Sequence, residues 1–446
     1  MKRPLFLLAA LLGVLLTSGA TAQSGKTSYK FDFGAGSVAP GYRQVLPSAT
    51  YSTERGYGFD FNTTVTAVDR GGKDALKGDF VTSDKPFYFS VDLPEGNYNV
   101  TVTLGDLKRR ASTSLKAESR RLLLEKTETA PGKFTTETFT VNLKSRRIND
   151  TLTVGLKPRE LGKLDWDDKL TLEFNGAATC LNALEITPAP PTAVTVFLAG
   201  NSTVVNQDDE PWAAWGQMIP RFFKPGVAIA NHAESGLSLG SFLSSRRLTK
   251  VLSVMKPGDY LFVEFGHNDQ KEKGPNDGAY KSYTERLKFF VSEAKKKGGI
   301  PVIVTSTARR NFDEATGKNV NSLGDYPDAA RQVAKAEGVA LIDLNAMTTT
   351  LYEALGVEAS MKAFVHYPAN TYPGQEKALA DNTHFNPYGA YEIAKCVVEG
   401  IKANRLGLVK YLKTNVPAFD PAHPDPLTKW TWADSPRNTV VKPDGN

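Results

Sequence analysis

The chain has 446 residues, 41% of them hydrophobic, and a formal charge of +6 at pH 7. That length suits two or three domains with ordinary globular cores. The weak positive balance, without a dense basic tract, gives no footing for nucleic acid as a partner.

Lys2 and Arg3, the apolar run Leu5 to Leu16 and the small-residue pattern Ala20-Thr21-Ala22 read as a signal peptide over residues 1–22, with Gln23 as the mature N-terminus. The expected location is periplasmic or secreted, and the mature charge falls to +4 without Lys2 and Arg3. The apolar run is short for a membrane span, so no integral membrane association is expected.

Residues 25–187 read as a β-sandwich or jelly roll. Phe87 to Leu93 and Tyr98 to Leu104 alternate apolar with polar around a Pro94-Glu-Gly-Asn turn, and Phe134 to Leu143, Leu152 to Leu156 and Cys180 to Ile186 continue the pattern. Residues 188–193, with Pro188-Ala-Pro-Pro191, read as a stiff linker.

Residues 194–446 change to alternating strands and helices. Strands are predicted at Val194 to Leu198, Val227 to Asn231, Asp259 to Phe265, Pro301 to Thr305 and Val339 to Leu344. Helices are predicted at Trp212 to Phe223, Leu239 to Met255, Tyr280 to Lys297, Ala329 to Glu337 and Asn386 to Ala403. Such alternation implies a three-layer α/β/α domain on a parallel sheet, with ligands gathering beyond the C-terminal ends of the strands. Cys180 and Cys396 fall in apolar stretches of different domains. An exported location permits a bridge, but two buried free thiols fit that placement better. No CxxC, His/Cys cluster or HExxH motif suggests zinc, and no cofactor is called for.

Three strand ends carry chemistry. The first runs into Gly200-Asn-Ser202-Thr203, where Ser202 is either a nucleophile awaiting a base or a turn-capping serine. The second ends in Asn231-His-Ala-Glu-Ser-Gly236, and the third in Glu264-Phe-Gly-His267-Asn268-Asp269. The Gly236 N–H and the Asn268 amide could donate to a developing oxyanion, or serve as a loop glycine and a helix cap. Near the end of the chain, Asp381-Asn-Thr-His384 places a carboxylate three residues before an imidazole it could orient, and Asn386-Pro387 can start the following helix by itself.

These four blocks, in this order, resemble the SGNH (GDSL-type) hydrolases, whose catalytic domain is a flavodoxin-like α/β/α sandwich. The resemblance implies Ser202 as nucleophile, His384 as base, Asp381 as the group orienting that base, and an oxyanion hole from the Ser202 and Gly236 N–H groups and the Asn268 side chain. The stretches Phe197-Leu-Ala-Gly-Asn-Ser-Thr-Val, Trp215-Gly-Gln, Asp259 to Gln270 and Asp381 to Asn386 resemble the rhamnogalacturonan acetylesterases. They imply removal of acetyl groups from an acetylated plant cell-wall polysaccharide or oligosaccharide. Asn201 stands where the family commonly has Asp. Phe31-Asp-Phe-Gly34 and Gly56-Tyr-Gly-Phe-Asp60 are similar to galactose-binding-like modules attached to such esterases.

The competing functions are an acetylxylan esterase or other esterase or lipase on this fold, and a carbohydrate-binding protein with an inactive hydrolase domain. Arg309 and Arg310 are candidates for a substrate carboxylate, or for an ion pair with Asp313 or Glu314. His267 and His366 are candidates for the binding rim. His232 is read as structural, Trp212 and Trp215 as core, and Arg246, Arg247 and Lys250 as a solvated face.

Overall fold

The computed structural model describes residues 27–439 and 441–444. The expected signal peptide at 1–22 lies outside them.

Residues 29–188 form a sandwich of two five-stranded sheets. One sheet runs in the order Phe134–Leu143, Gly96–Gly105, Ala183–Pro188, Tyr29–Phe33, Arg43–Val45. The other runs Tyr57–Asp60, Phe87–Asp92, Lys169–Ala178, Ala111–Ala117, Arg121–Thr129. Inward-facing aromatics fill the space between them, with Phe89 edge-on to Phe31 at 5.3 Å and to Phe33 at 5.0 Å. The predicted strand at Leu152 to Leu156 is instead an irregular loop. Its Val154 N–H pairs locally with Arg146 O (2.8 Å), and its Gly155 N–H donates to Ser245 O of the second unit (2.9 Å), so the stretch joins neither sheet.

The second unit is built on a five-stranded parallel sheet in the order Val227–Asn231, Val194–Gly200, Tyr260–Glu264, Ile300–Val304, Ala340–Ile342. Its central strands are apolar at consecutive positions because helices cover both faces. Val196 and Leu198 pack on one side with Trp215, Phe262, Ile393 and Val397. Phe197 and Ala199 pack on the other with Phe242, Leu261, Val263 and Phe290. The strand order reverses between Val194–Gly200 and Tyr260–Glu264, which opens a crevice at their C-terminal ends.

Several helices differ from their predicted extents. The predicted Trp212 to Phe223 helix shrinks to Trp215–Met218 and a 3₁₀ turn at Ile219–Phe222, because Ala213 is held extended by its bridge to Phe385. The predicted Leu239 to Met255 helix is split into Leu239–Ser244 and Arg247–Val254. Arg246 between them adopts a left-handed φ of 61° and donates to Thr153 O of the sandwich (3.1 Å). A helix at Leu344–Ser360 and an antiparallel pair, Phe364–Tyr367 with Leu379–Phe385, were not anticipated.

The two units share a buried, charged interface, so Arg247 and Lys250 are not a solvated face. Arg247 is fully buried and donates to both Glu160 carboxylate oxygens at 2.6 Å and to His232 O at 3.1 Å. Lys250 donates to Glu95 at 2.7 Å. Arg120 donates to Trp212 O (2.7 Å) and pairs with buried Glu210. Removing one partner of a buried ion pair strands the other charge in a low dielectric. Glu160→Ala should therefore lower stability by about 3–5 kcal/mol, and adding Arg247→Met should recover part of that loss, both read from denaturant midpoints.

Candidate active site

Ser202 follows the strand Val194–Gly200 by two residues, at the crevice where the strand order reverses. The neighbouring Asn201 carboxamide oxygen accepts from Thr203 N (3.0 Å) and Thr203 Oγ1 (2.9 Å), which fixes the turn. The Ser202 carbonyl accepts from Gln207 Nε2 (3.1 Å).

His384 comes from the unanticipated strand Leu379–Phe385, immediately before the last helix Pro387–Ala403, which Asn386 caps through Gly389 N–H. Its Nε2 lies 2.9 Å from Ser202 Oγ, and its Nδ1 lies 2.7 Å from Asp381 Oδ2. Asp381 Oδ1 accepts the backbone N–H groups of Thr383 (2.8 Å) and His384 (3.0 Å). Burial works against the Asp381 charge, but the His384 contacts and these N–H groups outweigh it and hold the carboxyl well below its usual range. An ionised carboxylate only accepts, so His384 Nδ1 carries the proton and Nε2 faces the serine hydroxyl as acceptor. The three residues form one continuous hydrogen-bonded chain, although the serine and histidine stand 182 positions apart.

Gly236 adopts φ 78°, a conformation that favours glycine, and a side chain there would also collide with Asp444. Asn268 Nδ2 donates to Leu237 O (3.0 Å), which ties the end of the third strand to the Gly236 turn and leaves its second amide N–H uncommitted to that bond. Neither the Ser202 N–H nor the Gly236 N–H donates to a backbone acceptor among the described residues. Asp269 accepts from Gly266 N–H and Leu239 N–H, both at 2.9 Å, and so clamps the same two loops.

Glu264 lies under this loop system, fully buried. It accepts from Trp215 Nε1 (2.5 Å), Thr203 Oγ1 (2.8 Å) and Thr307 N–H (3.4 Å), joining the ends of three strands. Burial without a paired cation pushes its carboxyl up to about 7. Its place in the Glu264 to Asp269 block was legible, but its role depends on Trp215 and Thr307, whose approach no spacing reveals.

The remaining candidates divide. Arg309 donates to His267 O (3.5 Å), and Arg310 is occupied with Val357 O (2.5 Å), Ser360 Oγ (3.0 Å) and Asn382 Oδ1 (3.2 Å). Neither pairs with Asp313 or Glu314 among the described residues. His267 is buried, and burial together with Arg309 and His384 keeps its ring neutral. His366 Nε2 contacts Asn382 Oδ1 (2.9 Å) on the strand that carries Asp381. His232 packs against Trp166 and Phe197, each at 5.9 Å, and Trp215 is core. Cys180 and Cys396 are free and buried. Among the described residues no group of three His, Cys, Asp or Glu is arranged to hold a metal, and no helix is long and apolar enough to cross a membrane.

Lys157 and Arg159 of the sandwich unit, and Lys442 and Asp444 from the last described segment, also reach the site. Lys442 Nζ lies 3.4 Å from Asp381 Oδ2.

Both units are similar to known proteins. The GDSL-like Lipase/Acylhydrolase family pattern matches residues 172–390. Rhamnogalacturonan acetylesterase RhgT of Bacillus subtilis (strain 168) is 43% identical over 221 residues, 49% of this chain and 94% of that protein. The chain belongs to the GDSL-like lipase/acylhydrolase family. It is an enzyme, an ester hydrolase related to rhamnogalacturonan acetylesterases. Residues 29–160 match the galactose-binding domain-like pattern of beta-agarase/YXIM esterase-like proteins. The uncharacterized esterase YxiM of Bacillus subtilis (strain 168) is 28% identical over 388 residues, 84% of this chain and 90% of that protein. A crystal structure of the Bacillus subtilis YxiM protein, 27% identical, covers 85% of this chain and 99% of that one with a TM-score of 0.45.

The raised Glu264 carboxyl makes stability pH-dependent in a defined direction. The fold binds this proton more tightly than the unfolded chain does. The resulting stabilisation is complete below the ordinary 4.5 and is lost as pH rises through about 7. Gln in its place does not titrate. The advantage of the parent over Glu264→Gln should shrink between pH 4.5 and 7, by on the order of 3 kcal/mol in full. Denaturant unfolding at several pH values measures it.

Proposed function

We propose that this family member is an exported carbohydrate acetylesterase that removes O-acetyl groups from plant cell-wall polysaccharide, most specifically pectic rhamnogalacturonan. The observation that carries the proposal is the unbroken chain Asp381–His384–Ser202 beside backbone N–H groups without backbone acceptors. The similarity to rhamnogalacturonan acetylesterase RhgT supports the substrate class.

Ser202 Oγ attacks the acetyl carbonyl while His384 Nε2 takes its proton, and Asp381 holds the imidazolium that forms. The oxyanion is received by the Ser202 and Gly236 N–H groups and the Asn268 amide. His384 then returns the proton to the departing sugar hydroxyl. Water, deprotonated by His384, attacks the acetyl-serine, and acetate leaves as Ser202 is restored. None of these steps calls for a metal or organic cofactor.

The polymer's acidic character fits the site's rim. Arg309 donates to His267 O (3.5 Å) and has no carboxylate partner among the described residues, which makes it a candidate for a galacturonate. A leader at residues 1–22 would deliver the enzyme to a polymer that cannot enter the cell.

The test is acetate release from acetylated rhamnogalacturonan, acetylated xylan and a chromogenic acetyl ester. Pectic substrate should be preferred. Ser202→Ala and Asp381→Asn should each cost roughly 10⁴-fold or more in kcat, and Asn268→Ala about 10²–10³-fold. Serine-dependent release from xylan alone would move the substrate, and no serine-dependent release from any of the three would reject the esterase assignment.

A further inference from the structure

Gly236, the proposed oxyanion donor, sits beneath a cluster of charges drawn from three distant parts of the chain. Lys157 Nζ donates to Ser235 O (2.6 Å), and Arg159 Nη2 donates to the same carbonyl (2.8 Å) and to Glu234 Oε1 (2.7 Å). Both cations also reach Asp444 Oδ2, at 3.2 Å from Lys157 and 2.8 Å from Arg159. A Cβ placed on Gly236 would lie 2.8 Å from Asp444 Cβ and 3.1 Å from Lys157 Nζ. The Asp444 side chain therefore stands directly beside the oxyanion turn.

Lys157, Arg159 and Lys163 face two buried or nearly buried carboxylates of the folded body, Glu234 and Asp208, and Lys163 pairs with both (3.1 and 2.8 Å). Asp444 supplies the third negative charge. It is 58% exposed, whereas Glu234 is 2% exposed. A half-exposed ion pair contributes little and is readily exchanged, while Glu234 is fixed. A cavity of about 290 Å³ adjoins the cluster, lined by Arg159, Lys163, Glu234, Ser235, Lys442 and Pro443.

We propose that Lys157 and Arg159 form a carboxylate subsite of the active site, and that Asp444 occupies it in the free enzyme as an internal stand-in for a uronate of the substrate. The proposal rests on the Ser202 assignment above for its location and deepens it by naming which residues read the acidic sugar. Two cations from the sandwich unit then contribute directly to polymer recognition. A substrate carboxylate displaces Asp444, clears the space over Gly236 and removes the same segment that brings Lys442 to Asp381. The fork of Arg159 and the point charge of Lys157 together suit a carboxylate rather than a neutral sugar hydroxyl.

Calorimetric titration of the full chain carrying Ser202→Ala with sodium oligogalacturonate tests this without requiring turnover. Adding Lys157→Gln should weaken binding about tenfold, and adding Asp444→Asn, a surface change, should tighten it at least about threefold by removing the competitor. Arg159 is left intact because it also holds Glu234. Affinities within about twofold of the parent in both variants, or no binding by the parent, would overturn the subsite. Unchanged affinities would direct attention to the larger cleft of about 1080 Å³ near Phe61, Tyr88 and Arg109 in the sandwich. Acetate release by the Ser202 enzyme judges the esterase assignment separately.

Discussion

Buried charge between the two units governs how this molecule is put together. Arg247 with Glu160, Arg120 with Glu210, and Lys163 with Glu234 all cross the junction, and most of these side chains are almost completely removed from water. In that setting each charge must find its partner or impose several kcal/mol of desolvation. The pairs are directional, so they set register as well as adhesion. They lock residues 157–165 of the sandwich against residues 232–236 of the hydrolase unit. Burial alone would raise the Glu234 carboxyl, yet Lys163, Arg159 and Arg247 together hold it below its ordinary value.

The geometry of the candidate site inherits that rigidity. Glu234 and Ser235 are the two residues before Gly236, and both are gripped by cations of the sandwich. On the opposite side, Asp269 clamps Gly266 to Leu239, and Asn268 reaches Leu237 O. The Gly236 turn is therefore held from two directions. Such fixed donors suit a role in stabilising developing charge, because they need no reorganisation when the reaction occurs. The galactose-binding-like unit thus packs directly against the Gly236 turn through Lys157, Arg159 and Lys163.

The segment beyond the last long helix strengthens the same connection. Ala433 O accepts from Lys116 of the sandwich, Trp432 lies 4.2 Å beneath the Lys116 ammonium, and Trp432 Nε1 donates to Glu210. Glu210 thus joins Arg120 of one unit, its own loop in the other, and this returning segment. The returning chain then runs on to Lys442 and Asp444 at the site itself.

Much of the chemistry was legible in the sequence because it is local. Gly200-Asn-Ser202, Gly266-His-Asn268-Asp269 and Asp381-Asn-Thr-His384 each lie within a few residues, and apolar strand runs marked where their loops begin. Period and composition also separated the β-rich part from the α/β part, since each is a pattern over neighbouring residues. The split helix at Arg246, the loop at Leu152 to Leu156, and the burial of Arg247 and Lys250 were not legible. Each results from a partner in the other unit, and a charged residue spaced along a helix has the same sequence signature on a wet face and in a buried pair. The sequence by itself determined which groups could react. Only the tertiary structure decided that Ser202 meets His384, that Glu264 lies dry beneath them, and that Lys157, Arg159 and Asp444 share the site, because those contacts join segments whose approach is fixed by packing and charge pairing across the whole chain.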